Sequence, residues 1–69
     1  MNTAVLDLFT TALEVNGKMV ATAQQTRLGW MWLTNTGRSS NKIDYGSKDA
    51  ALRAAAKSLG LEVTETIEG

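Results

Sequence analysis

The chain contains no cysteine, no histidine and no proline. Without cysteine there is no disulfide. Without histidine the commonest metal ligand and the usual general base are missing, so the familiar nucleophile–base pairs and thiol chemistry are excluded. A metal site would need oxygen ligands alone, and no calcium-loop spacing is present. No apolar run approaches the roughly 20 residues that span a membrane. The stretch before Lys18 carries Asp7 and Glu14 but no base, which does not fit a signal peptide. Together these absences lead us to expect a soluble, intracellular domain that binds rather than catalyses, with no cofactor and no metal.

At 69 residues the chain is one domain, 1–69. A chain of that size buries only about 60% of the surface its unfolded form exposes, so it needs very good packing or a partner in place of a covalent staple.

Net charge is zero, but its layout is uneven. All seven bases lie between residues 16 and 59, against only Asp44 and Asp49, while the two ends carry the other five acids. A basic middle between acidic ends suits docking against a charged partner. A sequence-independent nucleic-acid binder carries a larger basic excess, which makes nucleic acid the disfavoured partner.

Both tryptophans fall in Leu28-Gly29-Trp30-Met31-Trp32-Leu33. Side chains alternate along a strand, so Leu28, Trp30 and Trp32 share one face and Met31 and Leu33 the other. Such a strand, over about 27–34, needs cover on both sides. In so short a chain the second cover is the N-terminus or another molecule. Trp30 and Trp32 read first as core, the commoner place for tryptophan in a small domain. If a helix covers only one face and the pair lies on the open one, it forms an anchor cluster with nearby Arg27, Arg38 and Lys42, because Trp and Arg dominate interface energetics. Arg27, Trp30, Trp32, Arg38 and Lys42 are therefore the candidate partner-binding residues. A homodimer through the tryptophan face is a further alternative.

The remaining elements follow from local signals. Val5, Leu8, Phe9, Ala12 and Leu13 recur at helical spacing, which predicts a short helix at roughly 3–9 followed by a strand; one strand from Ala4 to Val15 is the competing reading. Asn16-Gly17 suits a two-residue type I′ turn, whose register pairs Val15 with Lys18 and Leu13 with Val20. Residues 34–41 are polar or small and read as a loose loop, and Lys42–Tyr45 as a fourth strand. Ser47 caps a helix over about 47–59, with Asp49 in its first turn, Lys57 in its last, Gly60 beyond, and Leu52, Ala55, Ala56 and Leu59 as its apolar stripe. Leu61–Ile67 alternates as an edge strand. The fold class is α+β: an antiparallel sheet of four to five strands with one alanine-rich helix on one face.

Two resemblances accompany these residues. From Gly29-Trp30-Met31-Trp32 through Asn41–Gly46 to Ser47–Ala55, about half the chain resembles AP2-type and integrase-arm modules, in which a three-stranded sheet reads DNA and a helix backs it. That likeness implies DNA-facing positions for Arg27, Trp30 and Trp32. As a whole, the small cysteine- and proline-free domain, with its Glu14–Val20 hairpin and alanine-rich helix, is similar to phage-encoded anti-CRISPR inhibitors. This second likeness implies a protein of the host-cell cytoplasm that blocks a surface of a bacterial effector or nuclease subunit.

Overall fold

The computed structural model describes residues 2–68, and its first element, Asn2–Asp7 (β1), is a strand rather than the helix expected at 3–9. The longer Ala4–Val15 strand is not formed either, because the chain reverses within it. Asp7 ends β1: its Oδ1 accepts the Phe9 and Thr10 N–H groups at 2.9 and 3.1 Å, an Asx turn that stops the extended run. Thr11 completes the reversal at φ 58°. Helical spacing lost to strand pairing because β1 has a partner on each side. It runs antiparallel to Ala12–Val15 (β2) and parallel to Leu61–Ile67, the last strand.

Asn16 and Gly17 form the expected turn, with φ 53° and 79°, and join β2 to Lys18–Gln25 (β3). Val15 pairs with Lys18 as read from the turn. Beyond it a bulge shifts the register between Leu13 and Glu14, so Leu13 faces Ala21 instead of Val20. That one-residue shift puts Ala21 on the same face as Leu13, where it is fully buried. β3 then pairs antiparallel with Trp30–Thr34 (β4).

Residues 34–45 correct two expectations. The 34–41 segment is a tight turn: the Thr34 N–H donates to the Arg38 carbonyl at 2.7 Å, and the Arg38 N–H to Thr34 Oγ1 at 3.0 Å. Lys42–Tyr45 is not a regular strand. The chain touches β4 at isolated bridges, Leu33 with Ser39 and Trp30 with Tyr45. Ser40 and Tyr45 are five positions apart, whereas their partners Trp32 and Trp30 are two apart. The excess loops out and breaks the ladder. The segment still covers the outer edge of β4.

Helix α1, Lys48–Ser58, has Ser47 as its N-cap, whose Oγ accepts the Ala50 N–H at 3.1 Å, and Gly60 follows it at φ 72°. It leads into β5, Leu61–Ile67. The sheet order is β4-β3-β2-β1-β5. The domain is thus α+β as expected, although the parallel β1–β5 pair makes its sheet mixed rather than wholly antiparallel.

One face of the sheet packs on α1. Ala4, Leu6, Leu13, Ala21 and Trp32 form one buried cluster with Ala51, Leu52, Ala55 and Ala56. Alanines let the helix approach closely, and the Trp32 indole fills the space that their small side chains leave. The molecule is accordingly thin, with a shortest extent of 15 Å.

Candidate functional site

The N-terminal segment joins the sheet and so cannot lie across it. Strand alternation turns Val5, Glu14, Thr22, Met31 and Leu33 away from the buried cluster. Among the described residues, no element covers the face that they form.

Register arranges this face in rows across the strands. One row runs Glu65–Val5–Glu14–Met19, and the next Ile67–Asp7–Ala12–Thr22–Leu33, crossing all five strands. Glu62, paired with Thr3, belongs to the same face. It therefore carries four carboxylates: Asp7, Glu14, Glu62 and Glu65. The only base in any strand is Lys18, and it lies opposite Val15, whose side chain packs on the core. Lys18 thus leaves from the helix side. The apolar part of the face is exposed in places, with Met19 at 48% and Ile67 at 39%.

The acidic ends of the sequence become one patch because β1 and β2 lie beside β5. Glu14 and Glu65 flank Val5 at two strand spacings, about 10 Å. Over that distance repulsion between exposed charges is largely screened at physiological salt, so the fold tolerates the arrangement. Basic side chains gather on the other side. Lys48, Arg53 and Lys57 lie on α1. Lys48 Nζ donates to the Leu8 carbonyl at 2.8 Å, and Arg53 is held by Asp49 at 3.1 Å.

The candidate residues read from the sequence are distributed differently. Trp30 and Trp32 pair with Gln25 and Ala23 on the helix side of the sheet. Trp32 is only 6% exposed, and Trp30 is half-buried. Of the two readings, core or exposed anchor, the structure has Trp32 in the core and Trp30 half-buried beside it: parity sends both rings under the one helix. A homodimer through both rings, or a sheet face on which both meet DNA, would need Trp32 uncovered. Among the described residues, the buried Trp32 Nε1 meets no hydrogen-bond acceptor.

Arg27, Arg38 and Lys42 are exposed along the β4 side. Arg38 Nη2 donates to Ser58 Oγ at 3.1 Å, at the end of α1. Lys42 pairs with Asp44 at 3.0 Å and lies 5.4 Å from the Tyr45 ring centroid. The ammonium hydrogen-bonds Asp44 and adds its positive charge, holding that carboxyl below the usual carboxylate range. Three bases read together are thus separate in engagement: Arg38 on the helix end, Lys42 on its own acid, and Arg27 in the turn before β4.

Sequence reasoning allowed for an open face but missed that the carboxylates gather on it. The signal was present in the two acid-bearing, alternating segments at the chain ends, but only pairing brings them together. Among the described residues, no three His, Cys, Asp or Glu side chains gather to hold a metal ion, and no helix is long and apolar enough to cross a membrane. No protein-family model matches this chain, no curated protein matches it, and no solved structure matches it.

Proposed function

We propose that this chain is a non-enzymatic binding protein acting in the host-cell cytoplasm as an inhibitor of a bacterial defence complex of the CRISPR type. In this reading it works by covering a surface of one subunit. The observation that carries it is the uncovered sheet face: four carboxylates lie around Val5 on β1, β2 and β5, apolar Met31 and Leu33 lie beyond β3 on β4, and no strand contributes a base to it.

A face of that kind complements a basic protein surface with apolar ground between its cations. Such surfaces are what nucleic-acid-handling proteins present to phosphate backbones. Opposed potentials steer the approach, and the apolar side chains of the face supply contact once water is expelled. The likeness to small phage-encoded inhibitors, noted above on the Glu14–Val20 hairpin and the alanine-rich helix, supplies the partner class. A DNA-binding role of the AP2 type is disfavoured, since duplex DNA approaching the face opposite α1 would meet Asp7, Glu14, Glu62 and Glu65.

The test uses purified CRISPR effector complexes and a labelled target duplex, with and without the chain. Inhibition of duplex binding is expected with at least one complex. The variant carrying Glu14→Lys and Glu65→Lys should weaken inhibition by about 100-fold, the scale of two lost charge pairs that become repulsive. Arg38→Ala with Lys42→Ala should weaken it less than about tenfold, as rim charges do. The opposite ranking moves the binding surface to the β4 side, and tight binding of the chain itself to DNA sinks the proposal.

A further inference from the structure

The outer edge of β5 has an unused hydrogen-bonding ladder. β5 stands last in the sheet order, and its only neighbour is β1. At the opposite end, the 38–45 segment covers the edge of β4. No described segment does the same for β5. The strand is seven residues long, about 23 Å of extended backbone.

Its backbone polarity can be read near the end. The Ile67 carbonyl accepts from the Leu8 N–H at 2.7 Å, so the Ile67 backbone groups face β1 and those of Thr66 face outward. The strand is also firmly held. Leu61 and Val63 pack on the core, and Thr66 Oγ1 accepts from Arg53 Nη2 at 3.3 Å, with that guanidinium fixed in turn by Asp49. An ordered edge loses little entropy when another strand adds to it.

Charge selects what can add. Glu62, Glu65 and Glu68 line the strand and its end. A second copy of the chain would set glutamates against glutamates, and like charges directly opposite are destabilising. The extra residue Thr64, bulged against β1, further disrupts a flat self-match. We propose that the outer edge of β5 docks an extended, lysine- or arginine-bearing segment of another protein, which joins the sheet as a further strand. Main-chain bonds then give affinity, and alternate cations reach the glutamates.

The probe is a labelled heptapeptide alternating lysine with valine and threonine, measured by fluorescence anisotropy and by amide NMR shifts of the folded chain. Binding with shifts concentrated on 61–67 is expected. The same peptide with alternate backbone nitrogens methylated cannot complete the ladder, and Thr66→Pro removes one outward N–H. The proline variant should weaken binding by about tenfold, the value of one lost hydrogen bond of some 1.4 kcal/mol, and the methylated peptide, which loses several, by more than that. The methylated peptide keeps the test independent of whether the proline variant folds. Equal binding of a glutamate analogue, shifts centred on β3 and β4, or undiminished binding of the methylated peptide would each overturn the proposal. Glu14→Lys should leave peptide affinity within about twofold, since that residue lies two strands from the edge and exposed charges at such distances are screened. A failure here therefore leaves the reading of the open face standing.

Discussion

Gly29 shows how one residue can fix the junction on which the β4 side depends. It has φ 150°, and a Cβ built on it would lie 2.5 Å from the Tyr45 carbonyl oxygen and 3.0 Å from the Asp44 carbonyl carbon. Next to it Thr26 Oγ1 accepts the Leu28 and Gly29 N–H groups and donates to the Ile43 carbonyl at 2.6 Å. The turn before β4 and the 38–45 segment are thus locked face to face. Gly29→Ala should cost about 1–3 kcal/mol, from the strained φ and the forced backbone shift together; a drop in the urea midpoint at unchanged slope checks it. A second residue-scale expectation concerns Asp44. Lys42 lowers its folded pKa, so the pair's contribution is present above the unfolded carboxyl pKa and fades as pH falls through the lowered value. Lys42→Met should return the carboxyl to the ordinary range in a ¹³C NMR titration. Because the group is fully exposed, stability at neutral pH should barely change. Asp44 beside a lysine was legible in advance, being two positions from Lys42; the role of Gly29 was not, since the glycine's neighbour lies 16 residues away in the chain.

At the scale of elements, legibility follows how local the determinant is. The Asn16-Gly17 turn, the Ser47 cap, the Gly60 stop and the strand at 61–67 were read correctly, because each depends on residues a few positions apart. The bulge at Thr64, set by pairing with β1, breaks that strand's alternation and turns Ile67 to the open face. β1 was misread. Val5, Leu8 and Phe9 satisfy helical spacing, while Ala4 and Leu6 also satisfy strand alternation, and the sequence does not weigh one against the other. What decides is the pairing of β1 with both β2 and β5, and the second partner comes from the far end of the chain. The same reason hides the direction of β5: an edge strand was expected, but only the α1 crossover makes it parallel. Residues 42–45 had a strand pattern and no room to use it, because the chain from Ser40 to Tyr45 is too long for the two β4 residues it spans. The tryptophans were correctly placed on one face. Whether that face is core or interface stayed open, since the choice of which face α1 takes is made by Ala51, Ala55 and Ala56 fitting against the Trp32 ring.

Across the whole molecule, a chain of zero net charge becomes a thin two-sided body. Carboxylates populate the bare sheet face, and most cations populate the helix side and the β4 edge. Net charge then says little about how the protein meets a charged surface, because at short range only the nearer face is felt. This can be separated from composition by moving one charge of each sign through the sheet. Glu14 and Lys18 flank the same turn and point to opposite sides, so Glu14→Lys with Lys18→Glu leaves net charge and hairpin composition unaltered. The parent should be retained on an anion exchanger at pH 7 despite its neutrality, and the exchanged variant should elute at clearly lower salt. Its unfolding free energy should move by no more than about 0.5 kcal/mol, as for surface changes away from special features. Equal elution of the two proteins would mean that the four carboxylates do not act as one surface. The acidic face would then lose its steering role, and contact with a basic partner would have to rest on Met19, Met31 and Leu33 alone.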